Sequence, residues 1–256
     1  MMQTLRDTWL IFGRYLRQSL RNPMWVVVGM AQPVMYLALF GPLLKGVAQS
    51  GAPGFTEGDA WQVYVPGLLV QMGMFGSLFV GFGIIGEWRM GVLERMRVTP
   101  VSRLALLLGR VMRDTLILLV QSIILVTVGF ALGLRAPVAG VLIGLGFVTL
   151  LAVSAASLSY TAGLATKNEG VYAPMLNMVA LPLLLLSGIL LPMSLAPGWL
   201  KFVSSLNPLR HIVDGMRDAF LGNYATANVG IGLLVAVIMA VLSLAVGTRT
   251  FRNEHV

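Results

Sequence analysis

Long apolar runs and short charged connections alternate along this chain. Six runs reach the ~20 apolar residues that a helix needs to cross a bilayer: Pro23–Leu44, Val63–Gly86, Thr115–Leu134, Val138–Leu164, Val171–Met193 and Val229–Thr248. Ahead of the first, Leu5, Trp9, Phe12, Leu16 and Leu20 recur at helical spacing, while Arg6, Arg14, Arg17 and Arg21 fall on the opposite side. That pattern predicts an amphipathic helix lying in the membrane interface, not a cleaved signal peptide. It serves as an anchor on anionic lipid, or as a lever that also touches a cytosolic partner.

Composition narrows the class. Charged residues make up 11% of the chain and hydrophobic ones 57%. A soluble domain carries about 25% charged residues, so a soluble fold is excluded. The net charge of +8 then reads as topology, not as a nucleic-acid footprint. Thirteen lysines and arginines fall on the side that holds both termini and five on the other, which predicts cytoplasmic termini. There is no cysteine, and His211 and His255 are the two histidines, so no metal cluster is expected.

Two connections carry the remaining information. In Glu87–Asp114, Met90, Leu93 and Met96 line one side of a short helix and Glu87, Glu94, Arg95 and Arg97 the other. Thr99-Pro100 stops it, Ser102 caps the next helix, and Leu104–Asp114 prolongs the third span with Arg110 and Asp114 placed to pair at i, i+4. This short helix is either a docking element or a solvated loop helix. The second connection, Leu186–Asn223, is too apolar for a loop and too interrupted for a span, with breaks at Pro192, Pro197, Gly198 and Pro208. Asn207-Pro208 starts a helix with Leu209, Ile212, Val213, Met216 and Phe220 on one face. Arg210, His211, Asp214, Arg217 and Asp218 form the other, with Arg210/Asp214 and Asp214/Arg217 as candidate pairs. The segment reads as a re-entrant hairpin capping a cavity.

Several short motifs have simpler readings. Gly81–Gly86 fits GxGxxG but lies inside a span, and Gly129/Gly133 and Gly140/Gly144 fit helix packing. No lysine follows a glycine, so the chain has no Walker A loop for ATP. At membrane depth Gln71, Met72, Phe75, Phe79, Gln121, Thr127 and Asn177 suit either a pocket for bulky apolar ligands or interhelical packing.

The stretch Gly91-Val92-Leu93-Glu94-Arg95-Met96-Arg97-Val98-Thr99-Pro100-Val101-Ser102-Arg103, followed by Leu106-Leu107-Leu108-Gly109-Arg110, resembles a signature of type-2 ABC exporter permeases. Leu186-Ser187-Gly188-Ile189-Leu190-Leu191-Pro192, with Pro197, Trp199, Asn207-Pro208 and Arg217, resembles the second signature of that family. The resemblance covers nearly the whole chain and is nearest the daunorubicin-resistance type of drug-efflux permease. It implies one all-α membrane domain over 1–256: an interfacial connecting helix (1–22), a six-span core (23–248) and a cytoplasmic tail (249–256). It also implies a plasma-membrane complex of two such chains with two copies of a separate ATPase, which holds the ATP and Mg. No cofactor or metal in this chain and no nucleic-acid partner are expected.

By the same resemblance the connecting helix (Arg14, Arg17) and a coupling helix (Glu87, Arg89, Glu94, Arg95, Met96, Arg97, Thr99, Pro100) meet the ATPase. The Lys167–Gly170 turn, with Lys167 and Glu169, adds a smaller contact. The second span continues stiffly into the coupling helix. The substrate path runs beside spans two and five, past Gln71, Met72, Phe75, Phe79, Gln121 and Asn177. The extracellular gate is Pro192–Phe220, with Pro192, Pro197, Asn207, Pro208, Arg210, Asp214 and Arg217. The implied substrate is a hydrophobic or amphiphilic drug-like compound, alternatively a lipid, glycolipid or polysaccharide. Readings from other classes are an intramembrane lipid-modifying enzyme using His211 and a passive channel.

Overall fold

The computed structural model describes residues 2–22, 24–49, 60–97, 101–189, 193 and 196–253. Its long regular elements are all helices: α1 (Met2–Arg21), α2 (Met24–Gln49), α3 (Ala60–Leu78), α4 (Val80–Arg89), α5 (Val92–Arg97), α6 (Arg103–Leu132), α7 (Val138–Thr166), α8 (Glu169–Leu186), α9 (Gly198–Ser205), α10 (Pro208–Phe220) and α11 (Ala227–Asn253). Five spans are long and apolar enough to cross a membrane: α3 with α4, then α6, α7, α8 and α11. A sixth is counted when α1 and α2, bent by 70° to one another, are taken together. The expected all-α membrane architecture is therefore the observed one.

Local chemistry sets the helix ends. Ser102 caps α6 by accepting from the Ala105 N–H at 3.1 Å, so the prolonged third span is one helix of 30 residues. Gly133 ends it at φ 113°, a left-handed position that glycine occupies at little cost. The Gly129/Gly133 match is thus partly a helix stop. Gly140/Gly144 is the true packing pair: a Cβ at Gly140 would overlap the Ala219 carbonyl, and one at Gly144 would lie 2.6 Å from the Phe220 ring.

The main core joins α2, α3, α6, α7, α8, α10 and α11 around Leu68, Leu69, Phe147, Leu151, Ile212, Met216 and Phe220. A smaller core lies at the α1 end, where Ile11, Leu93, Met96, Leu107 and Phe251 meet. Outward faces of α2, α8 and α11 stay apolar and exposed, among them Met35, Leu39, Met178, Leu185, Leu234 and Val241. Such a wide apolar surface suits lipid or a partner chain.

The second span is not a rod. It breaks at Phe79, where α3 gives way to α4, and turns again at Met90-Gly91 before α5, with Gly91 at φ 67°. The stiff continuity expected between span two and the short helix is interrupted at the Met90-Gly91 turn, while the irregularity at Phe79 lies within the span. The fifth span also stops short of the expected Met193. It ends at Leu186, and Gly188 turns the chain at φ 77°.

Candidate functional site

The joints in the bundle are where polar side chains from different helices converge. At the α1 end, Tyr15 donates to Glu87 Oε2 at 2.9 Å and accepts from Arg110 Nη2 at 2.7 Å. Arg110 Nη2 also lies 2.6 Å from Glu87 Oε2. This triangle ties α1, the end of α4 and the start of α6 into one body. Arg110 is 1% exposed, so its charge is shut off from bulk solvent and depends on these partners. The expected Arg110/Asp114 pair is not the one formed: Glu87 takes Arg110, while Asp114 is held by Arg113 at 2.8 Å and by the Tyr160 hydroxyl. Helical spacing marks which pairs can meet, but a carboxylate from another helix competes for the same guanidinium. A polar cavity of about 30 Å³ lies among Tyr15, Glu87, Arg110, Arg113 and Tyr160, with room for water.

α1 turns out to have two apolar faces. The stripe read from the sequence is largely free of protein, with Leu5, Trp9 and Leu20 exposed. Ile11 and Tyr15 instead form the face packed on α6, where a Cβ at Gly109 would lie 2.6 Å from Ile11. Arg14 and Arg17 are exposed on α1.

Beyond the triangle, Arg89 at the end of α4 pairs with Glu169 at 3.2 Å, and the Lys167 ammonium sits 5.6 Å from the Trp88 ring. The Lys167–Gly170 turn is therefore docked against the second span. It is shaped by Lys167 at φ 50° and by Asn168, which accepts from the Gly170 N–H at 2.9 Å. On α5, Leu93 and Met96 are buried and Arg95 is exposed. Glu94 and Arg97 belong to α5, with side chains outside the description. Thr99, Pro100 and Pro192 lie outside the described residues.

The break at Phe79 frees the Leu78 carbonyl, because the Phe82 N–H turns to Phe79 instead. Ser159 on α7 donates to that carbonyl at 2.7 Å and accepts from the Gly81 N–H at 2.8 Å. The Tyr172 hydroxyl on α8 lies 2.8 Å from both the Leu78 carbonyl and Ser159 Oγ. Irregular backbone inside a bilayer needs such partners. Ser154 and Ser157 use their hydroxyls differently, bonding back to Leu150 and Val153 on their own helix.

The residues expected along a substrate path divide. Gln71 and Met72 are core residues, and Gln121 is buried, donating to the Val26 carbonyl at 2.9 Å. Phe75, Phe79 and Phe82 stack in a row at 6.4 and 6.0 Å, ending edge-on against Tyr172 at 4.9 Å. Phe79 is exposed in that row, and Asn177 is exposed on α8.

At the far end of the bundle, the C-terminus of α8 has carbonyls that no helical N–H can reach. Asn207 Nδ2 donates to the Leu183 carbonyl at 2.7 Å, and Ser204 donates to Leu186 at 2.7 Å. Arg217 Nη2 donates to Gly188 at 2.8 Å, and its Nε to Val63 on α3 at 3.0 Å. Asn207 Oδ1 meanwhile accepts from the Leu209 N–H at 3.0 Å, with Pro208 opening α10 as expected. The whole predicted face of α10 is buried. Arg210 pairs with Asp214 at 3.5 Å, while Arg217 turns to carbonyls in place of the expected Asp214. Burial pushes the Asp214 carboxyl up, with Arg217 and Arg210 pulling it back, and burial holds the Arg217 guanidinium below its ordinary value. Pro197 sits exposed at the start of α9, and His211 Nε2 lies 3.0 Å from the Ser205 carbonyl.

Among the described residues no group of three or more histidine, aspartate or glutamate side chains could hold a metal. The chain is 26% identical over 237 residues to the daunorubicin resistance ABC transporter permease protein DrrB1 of Streptomyces coeruleorubidus, covering 91% of this chain and 81% of that one. It is 24% identical over 254 residues to the probable doxorubicin resistance ABC transporter permease protein DrrC of Mycobacterium tuberculosis, covering 96% and 88%. A putative transport permease, ycf38 of Cyanophora paradoxa, matches at 25% over 251 residues, covering 91% and 85%. Residues 6–221 match the family described as ABC-2 type transporter, and the chain belongs to that family as a membrane permease.

Proposed function

We propose that two copies of this chain form the membrane part of an exporter driven by two copies of a separate ATPase, in the plasma membrane with both termini cytoplasmic. The observation that carries this reading is the Tyr15–Glu87–Arg110 triangle. It ties the interfacial helix, the end of span two and the start of span three together at the arginine-rich face, which supports their moving as one body. In this reading the ATPase docks on α5, on exposed Arg14, Arg17 and Arg95, and on the Lys167–Glu169 turn. Closure of the ATPase pair moves these elements as one body, and the joints at Met90-Gly91 and Phe79 let span two bend. The inward-facing site closes while the α9–α10 hairpin releases the outer end. Such a cycle requires ATP and substrate to bind the two states with different affinities.

For the substrate, the reading is a hydrophobic or amphiphilic drug-like compound. The Phe75–Phe79–Phe82 row, with Phe79 exposed, supports it, since aromatic surface at membrane depth accepts bulky apolar ligands. The relatives named for daunorubicin and doxorubicin resistance agree with it. The test begins with purification of the tagged chain from its native membrane in mild detergent. An ATPase with a Walker A loop should copurify in equal amount, and apolar amphiphiles should stimulate its ATP hydrolysis. A chain that comes out with no nucleotide-binding partner refutes the reading.

A further inference from the structure

Arg217 is a charged side chain held by uncharged partners. Its Nε donates to the Val63 carbonyl at 3.0 Å, and its Nη2 to Gly188 at 2.8 Å, with Ile189 at 3.4 Å. Among the described residues it forms no ion pair, although the carboxylate of Asp214 stands three residues earlier on the same helix and is engaged by Arg210. The three carbonyls belong to two different bodies. Val63 is on α3, while Gly188 and Ile189 form the turn that ends span five. Arg217, on α10, stitches them together.

The stitched surfaces are close. A Cβ at Gly67 on α3 would lie 3.1 Å from the Ile189 carbonyl, and Ile189 is 2% exposed. Opening this end must separate α3 from the turn, which removes carbonyl partners from a partly buried guanidinium. Residues three apart on a helix are surface neighbours, so a change of side-chain rotamer brings Arg217 to Asp214. The carboxylate can then satisfy the charge that the carbonyls release.

We propose that Arg217 is a two-position latch of the outer gate, holding the Val63, Gly188 and Ile189 carbonyls when closed and Asp214 when open. The inference rests on the reading of the α9–α10 hairpin as that gate. Arg217 is here a positioning residue, and Asp214 is what makes its second position accessible.

The natural absence of cysteine allows a clean test, because Ile189→Cys supplies the single thiol in the chain. Right-side-out vesicles from the native host would be treated with a membrane-impermeant maleimide, with and without ATP inside. Modification should be slow without ATP and rise with it. Adding Arg217→Gln should raise the rate without ATP at least about tenfold, the shift expected for loss of even one of its hydrogen bonds from a charged group. Adding Asp214→Asn should leave that rate low and suppress the rise with ATP. This second variant, at a partly exposed position, keeps the test decisive if Arg217→Gln fails to insert. A full ATP-dependent rise in Asp214→Asn, or an unchanged rate in an inserted Arg217→Gln, overturns the latch while leaving the gate in place. Equal modification with and without ATP in Ile189→Cys alone overturns the gate reading itself.

Discussion

Replacing Tyr15 by phenylalanine isolates the triangle that fastens α1 to the bundle. The ring stays, so apolar packing beside Ile11 is kept, and a single hydroxyl is lost. That hydroxyl makes two hydrogen bonds to charged groups, at 2.9 Å to Glu87 and 2.7 Å to Arg110. Bonds of this kind contribute about 1.5–3 kcal/mol each, but the direct Arg110–Glu87 contact survives the change and keeps both charges partnered. The net loss in α1 docking is therefore put at about 2 kcal/mol, smaller than the sum of the two bonds. That corresponds to about a thirtyfold shift in the local opening equilibrium. Amide exchange of the full chain in lipid nanodiscs reads it directly: α1 amides around Thr8–Ser19 should exchange about thirtyfold faster, while those of α11 stay as before. Glu87→Gln should couple to Tyr15→Phe, so the double variant costs less than the sum of the two. Unchanged exchange in α1 would refute the reasoning, and would assign its attachment to apolar packing and lipid alone.

Other consequences are as concrete. Ser159→Ala strands the Gly81 N–H and one bond to the Leu78 carbonyl, and should lower stability by about 1–2 kcal/mol, read as a fall in Tm of the purified chain. Tyr172→Phe added to it should cost more than either alone predicts, since each hydroxyl covers for the other. Gly140→Val drives a side chain into the Ala219 carbonyl and should abolish a monodisperse preparation by size-exclusion chromatography, whereas Gly133→Ala should cost only about 1–2 kcal/mol in thermal melting for its left-handed backbone. Asn207→Ala removes both the α10 cap and the bond to the Leu183 carbonyl, and should cost about 2 kcal/mol by the same measurement.

What the sequence made legible is what period and end signals encode. The apolar runs located the spans, Ser102 and Asn207-Pro208 marked helix starts, and the 3.6-residue pattern identified the buried face of α10. The joints were illegible for a common reason. A break at Phe79 has no proline or charge to announce it, because its cost is met by Ser159 and Tyr172, 80 and 93 residues downstream. Arg110 likewise looked like the i, i+4 partner of Asp114, and only the fold brings Glu87 and Tyr15 within reach. On α1 the stripe is apolar as expected, but pattern alone cannot say which apolar face stays exposed and which meets protein. Ile11 and Tyr15 sit beside that stripe, and the close approach allowed by Gly109 selects them.

The two ends of the bundle use charge in opposite ways. At the α1 end, Arg110 faces a carboxylate, and separating them would leave two charges short of partners in a buried setting, which costs several kcal/mol. In the proposed cycle that end moves as a unit. At the far end, Arg217 bridges two bodies through neutral carbonyls, and Asp214, paired with Arg210, stands on the same helix, where the proposed latch would use it on separation. Between them span two carries joints at Phe79 and Met90-Gly91, each with its backbone hydrogen bonds rerouted. In the proposed cycle, displacement of the α1–α4–α6 end would be absorbed by bending in span two. It would emerge where the bonds are cheapest to exchange, at the contact of α3 with the Gly188-Ile189 turn.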